Sequence, residues 1–349
     1  MAVYEHFNKY NAAPPDTEKI AVFNEVGKRI GHIPLGTLTP PDASERLYSF
    51  GVLSDPHIGS DTGAAITAFN RAMKFFAENA DIKFVCVAGD LVESGDTEEH
   101  WEAYADVLEN NHFRLPNDKK EGKRVYAIVG NHDRIYNYAE NSYETAEFVK
   151  NYTGYGYDPN ATGERDDGVC YSFEYDGDVF IMLGVYSPAT LSDTGTSCQA
   201  MLNVEDADRA KARFETNRNK RCFVFQHYMP PILSDHKNIL TSTHYNHYKN
   251  TIVFHGHTHH EFEMQTASDP DTIYTQKDGY RSVHIPSCND RSAGDNGRVI
   301  VHQGYIVDVY RDKIHLIGID FKTDTIKYAP LGIYAIDTTI VNVEAKTET

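Results

Sequence analysis

The chain has 349 residues, of which 40% are hydrophobic and 24% charged, and it carries a formal net charge of -18 at pH 7. This composition is typical of a globular protein with a sizeable core. The excess of acidic side chains argues against nonspecific nucleic-acid binding, which depends on Lys and Arg neutralising phosphates. No stretch approaches the roughly 18 consecutive apolar residues of a membrane-spanning helix, and residues 1–19 lack the apolar centre of a signal peptide.

The cysteine pattern bears on the compartment. Five Cys make an odd number, and no two of them form a C-x-x-C pair. The pattern therefore favours neither a disulfide framework nor a thiolate zinc site. We expect a reducing environment, the cytoplasm, for this chain.

Two regions are predicted from the order of apolar and polar segments. Residues 1–45 hold two short apolar runs, 20–23 and 30–35, followed by Pro40 and Pro41, which predicts an accessory N-terminal β-hairpin and linker. Residues 46–349 are predicted to form one domain with a strand-rich C-terminal part.

Within the second region, strands alternate with helices. Predicted strands cover 48–54, 84–88, 124–129, 169–173, 179–184, 222–226 and 251–255, and predicted helices cover 62–80, 98–109, 142–152 and 204–217. This alternation is typical of an α/β protein with a largely parallel or mixed sheet. The later strands, 273–275, 280–285, 305–310 and 313–319, are expected to form a second sheet packed on the first. The basic run 119–124 predicts a solvated loop before a strand rather than a nucleic-acid site.

Polar residues with metal-binding side chains appear where five apolar strands stop. They are Asp55-Pro56-His57, Gly89-Asp90, Gly130-Asn131-His132-Asp133, His227 and Gly256-His257-Thr258-His259. Because sites in α/β sheets form at the carboxyl ends of strands, these loops should converge on one edge. The side chains are carboxylate, imidazole and amide without sulfur, which favours Mn, Fe or Zn.

This ordered set of motifs resembles the calcineurin-like metallophosphoesterase superfamily, and its pattern is similar to the cyclic-nucleotide-phosphodiesterase-like members. The resemblance implies an α/β fold in a four-layer arrangement, with a central mixed β-sandwich flanked by helices. It also implies two divalent metal ions. One would be held by Asp55, His57 and His259, the other by Asn131, His227 and His257, and Asp90 would bridge them.

The implied reaction is hydrolysis of a phosphate ester. Two divalent ions about 3.5–4 Å apart lower the pKa of a bridging water, so that hydroxide can attack phosphorus at neutral pH. A local cationic centre also explains how an acidic chain could bind a small phosphate-ester substrate.

His132 would act as the general acid beside the phosphate in this scheme, protonating the leaving oxygen or hydrogen-bonding a phosphate oxygen. Glu93, three residues after Asp90, either fixes the His132 ring or is solvated on a loop, and the sequence leaves both open. Asp133 is interpreted as a turn or helix-capping residue rather than a ligand.

Departures from well-known branches narrow the activity. The segment 89–95 lacks the Arg of the Ser/Thr phosphatases, and Glu93 and His57 replace residues that are typical of purple acid phosphatases. We therefore expect a phosphodiesterase, with a phosphomonoesterase or nucleotidase of the same fold as the alternative. A non-catalytic scaffold that keeps the fold is a further alternative, and a nuclease is disfavoured by the acidic balance. A homo-oligomer is left open.

Overall fold

The structure, a computed structural model, describes residues 19–23, 29–34, 45–59, 63–137, 142–144, 170–184, 187–190, 198–201, 204–229, 250–259, 273–275, 280–289, 302–326 and 333–337. The helices within them are α1 (Ala64–Glu78), α2 (Glu98–Asn110) and α3 (Val204–Thr216). None of the helices in these residues is long and apolar enough to cross a membrane.

The strands in chain order are β1 (Lys19–Phe23), β2 (Arg29–Pro34), β3 (Tyr48–Leu53), β4 (Ile82–Ala88), β5 (Phe113–Arg114), β6 (Lys123–Ile128), β7 (Ile135–Asn137), β8 (Ser142–Glu144), β9 (Cys170–Tyr175), β10 (Asp178–Leu183), β11 (Ser187–Thr190), β12 (Cys198–Met201), β13 (Cys222–Gln226), β14 (Thr251–His255), β15 (Ile273–Thr275), β16 (Arg281–His284), β17 (Gln303–Val309), β18 (Lys313–Asp320), β19 (Thr325–Ile326) and β20 (Ile333–Asp337).

Two large mixed sheets dominate the described chain. The first has the order β19-β18-β17-β3-β4-β6-β5, with β20 also pairing β18, and the second has the order β15-β16-β14-β13-β10-β9. Five central strand pairs are parallel: β3/β4, β4/β6, β10/β13, β13/β14 and β14/β16. Antiparallel pairs flank them, namely β3/β17 and β17/β18 in the first sheet and β9/β10 and β15/β16 in the second. The predicted α/β architecture, a mixed β-sandwich flanked by helices, is confirmed.

Aromatic side chains from both sheets form the core between them. Phe50 and Phe84 of the first sheet stack with ring centroids 5.2 Å apart, and Phe50 meets Phe180 and Phe223 of the second sheet edge-on at 5.4 and 5.3 Å. All four are buried. Since side chains alternate along a strand, their neighbours point to the opposite faces, where the helices cover them. Both faces of the central strands are therefore apolar, which explains their continuous apolar runs.

The parallel strands end at a common edge of the sandwich. The loops after β3, β4 and β6 leave the first sheet there, and the loops after β13 and β14 leave the second. Main-chain bonds tie these loops together. Within the second sheet the Gly256 N–H donates to the His227 carbonyl at 3.0 Å, and across the sheets the Cys288 N–H donates to the Ser54 carbonyl at 2.9 Å. The sandwich thus brings distant motifs to one place.

Two predictions about secondary structure were wrong. The strand-rich C-terminal part does not form a sheet of its own, because β15 and β16 join the second sheet while β17 and β18 join the first. β17 pairs antiparallel with β3 and satisfies backbone groups that would otherwise form an open edge. The predicted helix 142–152 begins instead with β8, which pairs antiparallel with β7, and its remainder lies outside the described residues.

In the N-terminal region, β1 and β2 pair antiparallel as a separate two-stranded sheet. Its accessory role stays a prediction.

Candidate metal centre

The loops at this edge hold several site residues in an unusual backbone conformation. Asp55, His57, Asp90, His257 and His259 have φ values of 55°, 46°, 50°, 72° and 54°. Left-handed φ is uncommon for residues with side chains, and it costs free energy that the surrounding structure must offset. Main-chain bonds supply part of that restraint, since Asp55 N–H donates to the Gly89 carbonyl at 3.1 Å and His57 N–H to the Asp90 carbonyl at 2.9 Å.

The seven residues predicted as metal ligands lie together in the structure. One group contains Asp55, His57, Asp90 and His259, and a second contains Asp90, His227 and His257, each with ligand atoms within 4.8 Å of one another. The seventh residue, Asn131, places its Oδ1 3.1 Å from His227 Nε2. Their role as ligands stays a prediction.

Asp90 belongs to both groups through one oxygen. Its Oδ2 lies 3.5 Å from His57 Nε2 and 3.1 Å from His227 Nε2. Its Oδ1 is turned away and accepts the main-chain N–H of His132 at 2.9 Å. Asp90 is therefore held from behind while a single carboxylate oxygen faces both halves of the cluster.

Two glycines allow this close approach. At Gly89, with φ of 92°, an added Cβ would lie 2.7 Å from His227 Nδ1. At Gly130 an added Cβ would overlap Asp90 Oδ1. Packing thus requires a glycine in both the G-D and the G-N-H-D motif, and the backbone conformation requires one at Gly89 as well.

The histidines around the first group turn ring nitrogens toward a common point. His57 Nε2 and His259 Nε2 are 2.9 Å apart, and Asp55 Oδ1 lies 3.3 Å from His259 Nε2. In the second group, His227 Nδ1–H donates to the Ala88 carbonyl at 2.8 Å, which leaves Nε2 directed at Asp90. Imidazole and carboxylate donors converge here, and the second ring nitrogens of His57 and His227 are bonded to Glu93 and to the Ala88 carbonyl. Such an arrangement fits a divalent metal.

The charges of the buried groups depend on one another. Burial acts to raise the pKa values of Asp55 and Asp90, but the neighbouring histidines outweigh it and hold both pKa values below their usual range. Burial likewise opposes protonation of His227, yet Asp90 and Asp55 raise its pKa to about 9. His257 differs, because burial and the nearby His227 lower its pKa to about 4. Two buried carboxylates that stay ionised form a strong site for positive charge.

The Glu93 side chain matches neither of the two alternatives that the sequence leaves open. Its Oε2 lies 2.9 Å from His57 Nδ1 and 3.9 Å from His132 Nδ1. The His132 Nδ1–H instead donates to the Glu93 main-chain carbonyl at 2.9 Å. The carboxylate is thus neither simply solvated nor hydrogen-bonded to His132, and the main chain holds the His132 ring.

Asp133 has a structural place. It is fully buried, and its two oxygens accept the main-chain N–H groups of Val92 at 2.9 Å and Gly130 at 2.7 Å. Burial and the nearby Asp90 raise its pKa to about 7. The interpretation as a turn residue agrees with these bonds. The helix-capping alternative is wrong, because residues 135–137 form β7 rather than a helix.

Sequence reasoning missed the supports contributed by residues 284–289. The Thr258 hydroxyl, between His257 and His259, lies 2.7 Å from His284 Nε2. The Ser287 hydroxyl donates to the Asp55 carbonyl at 3.2 Å. Neither residue stands in a recognisable motif, and only the parallel pairing of β14 with β16 brings them behind the cluster.

Comparison with known proteins decides the family. The sequence model of the calcineurin-like phosphoesterase family matches residues 48–261, which span all five motifs. The chain belongs to the calcineurin-like phosphoesterase family. The resemblance to the calcineurin-like metallophosphoesterase superfamily is thereby confirmed, and the similarity to its cyclic-nucleotide-phosphodiesterase-like members stays a prediction. Among curated proteins, no match was found for this phosphoesterase-family chain.

The solved structures that match this chain are distant from it in sequence. GAP50, the anchor in the inner membrane complex of Plasmodium, is 14% identical with a TM-score of 0.45, and the match covers 83% of this chain and 90% of that one. A conserved protein of Streptococcus pneumoniae TIGR4, described as a predicted phosphoesterase, is 10% identical with a TM-score of 0.35 and coverage of 83% and 97%. Vps29 of Entamoeba histolytica, complexed with Zn²⁺, is 9% identical with a TM-score of 0.34 and coverage of 83% and 99%. Identities this low do not extend the functions of these proteins to this chain.

Proposed function

We propose that this chain is a dinuclear metal-dependent phosphohydrolase that acts on phosphodiesters. The observation that carries the proposal is the position of Asp90 Oδ2, which faces His57 on one side and His227 on the other at 3.5 and 3.1 Å. A carboxylate oxygen shared by two groups of imidazole donors suits a pair of cations better than one.

The donor set divides between two ions. Asp55, His57 and His259 would hold one, Asn131, His227 and His257 the other, and Asp90 both. Such ions, Mn, Fe or Zn by the chemistry of the donors, supply a hydroxide nucleophile at neutral pH and positive charge beside the phosphate. Asp55 and Asp90 contribute two negative charges, which stabilise cations in a buried site.

His132 is the proposed proton donor. Its Nδ1–H is held by the Glu93 carbonyl, so Nε2 is the nitrogen that can deliver a proton to a leaving oxygen. About a third of its side chain is exposed, whereas His57 and His227 are fully buried. His132 therefore stands between the buried donors and solvent, where a substrate would arrive.

Charge supports a diester rather than a monoester. A diester carries one negative charge and a monoester up to two at neutral pH. The Glu93 carboxylate, partly exposed and 3.9 Å from His132 Nδ1, adds negative charge beside the expected phosphate position. Repulsion from it disfavours the more highly charged substrate.

The proposal is tested by hydrolysis of bis(p-nitrophenyl) phosphate and p-nitrophenyl phosphate, after reconstitution with Mn²⁺, Fe²⁺, Zn²⁺, Ni²⁺ or Co²⁺ and again after chelation. We expect two metal ions per chain and faster turnover of the diester. Two bound ions with preference for the monoester would support the phosphomonoesterase alternative. Absence of bound metal and of turnover under every condition would refute the enzyme and favour a scaffold.

A further inference from the structure

Glu93 sits at a crossing point between the two loops that carry His57 and His132. Its N–H donates to the Ile58 carbonyl at 2.9 Å, and its carbonyl accepts the His132 Nδ1–H at 2.9 Å. The loop is fixed on the other side as well, since Gly95 N–H donates to the His132 carbonyl at 2.8 Å. The main chain of Glu93 is therefore held in place independently of its side chain.

The side chain of Glu93 serves a different histidine from its main chain. The carboxylate Oε2 accepts the His57 Nδ1–H at 2.9 Å and lies 3.9 Å from His132 Nδ1, beyond hydrogen-bond distance. The His132 Nδ1 proton is already directed at the Glu93 carbonyl. One residue thus places an acceptor at Nδ1 of each ring.

The consequence for His57 follows from imidazole chemistry. A proton on Nδ1 leaves the lone pair on Nε2, and that nitrogen lies among Asp90 Oδ2, His259 Nε2 and Asp55 Oδ1 at 3.5, 2.9 and 4.0 Å. A carboxylate bonded to the opposite nitrogen fixes the ring orientation and increases the basicity of the metal-binding one.

We propose that Glu93 is a positioning residue whose carboxylate orients and activates His57 for metal binding, while its main-chain carbonyl separately orients His132. This inference rests on the proposed function and deepens it. The two rings meet edge to face with centroids 4.7 Å apart, so a displaced His57 would also disturb the packing of His132.

The inference is tested with Glu93→Gln and Glu93→Leu, and with Glu102→Gln as a control on the exposed face of α2. Glu93→Gln keeps a neutral acceptor for His57 Nδ1–H, whereas Glu93→Leu removes it. The Glu93 side chain is 23% exposed and that of His57 is fully buried, so Glu93→Leu leaves a buried N–H without this acceptor, whereas Glu93→Gln does not. Metal dissociation constants are measured by competition with a chelator, and the ring tautomers of His57 and His132 by nitrogen NMR of the protein without added metal.

We expect weaker binding of one metal ion, by about 10- to 100-fold in Glu93→Leu and less in Glu93→Gln. We also expect His57 to lose its single tautomer in Glu93→Leu while His132 keeps the Nδ1–H form. Unchanged affinity and an unchanged His57 tautomer in both variants would overturn the inference, as would loss of the His132 tautomer alone. Failure of the unaltered protein to bind metal would instead overturn the proposed function, and the tautomer measurement would still test the Glu93–His57 bond.

Discussion

His132→Ala separates proton donation from metal binding. The substitution removes the imidazole but keeps the main-chain N–H of residue 132, which donates to Asp90 Oδ1. Asp90 Oδ2 therefore stays directed at His57 and His227. We expect the variant to keep both metal ions and lose rate.

The size of the loss can be derived from the exposure of the ring. A positioned general acid contributes typically about 10²- to 10⁴-fold. Because about a third of the His132 side chain is exposed, water can reach the leaving oxygen in the variant and partly replace His132 as the proton donor. We therefore expect a loss in the lower half of that range, about 10²- to 10³-fold, which is about 3–4 kcal/mol of transition-state free energy.

The assay compares an aryl diester with an alkyl or ribose diester at matched metal occupancy. p-Nitrophenolate leaves without protonation, so the loss should be small for the aryl ester and close to the full value for the alkyl ester. If His132 only binds a phosphate oxygen, the two losses should be alike, since the phosphate charge is much the same in both esters. A variant as active as the unaltered protein on both substrates would refute a catalytic role, and one that loses metal would refute the separation argued from the main-chain bond.

Three further predictions follow from the same structure. Asp90→Asn should lower metal content, measured by elemental analysis, more than Asn131→Ala, because a bridging carboxylate contributes charge to both ions and an amide contributes a neutral dipole to one; equal losses would contradict bridging. Gly130→Ala should also lower metal content, with a lower melting temperature, since its Cβ would overlap Asp90 Oδ1; normal metal content would show that the loop can shift. Burial lowers the pKa of His315 despite the nearby Asp308. Neutral His315 therefore adds to the free energy of unfolding above its unfolded-state pKa of about 6.5, and this contribution is lost as the pH falls below that value. His315→Gln should flatten the decline of urea-unfolding free energy between about pH 6.5 and 5, and an unchanged slope would contradict that origin.

The local pattern of apolar residues alone was sufficient to predict the strands that carry the motifs. The strands ending at Leu53, Ala88, Gln226 and His255 are buried on both faces almost throughout, and β6 is buried toward its end at Ile128. Such apolar runs can be recognised without any knowledge of the partner strands. The ligand types followed in the same way, since carboxylate and imidazole at successive strand ends have few structural uses. The family and the α/β class could therefore be predicted from the sequence.

The pairing of strands that are distant in the chain could not be predicted from the sequence. β17 lies beside β3 although more than 250 residues separate Phe50 from Val307 in the chain, and no local pattern distinguishes that partner from another strand. For the same reason the basic run 119–124 predicts only a solvated loop before a strand. In the structure, Lys123 Nζ donates to the Phe76, Ala77 and Asn79 carbonyls near the end of α1 at 2.7, 3.0 and 2.6 Å. Its partners lie more than 40 residues away.

The same limit applies to Glu93 inside the site. Its spacing from Asp90 placed it near the cluster, but the 2.9 Å bond to His57 rather than His132 depends on the relative positions of two loops. Sequence by itself determined which chemical groups are present and at which strand ends. The tertiary structure decided which atoms meet, because hydrogen bonds depend on distances of a few tenths of an ångström that only the packed sheets define.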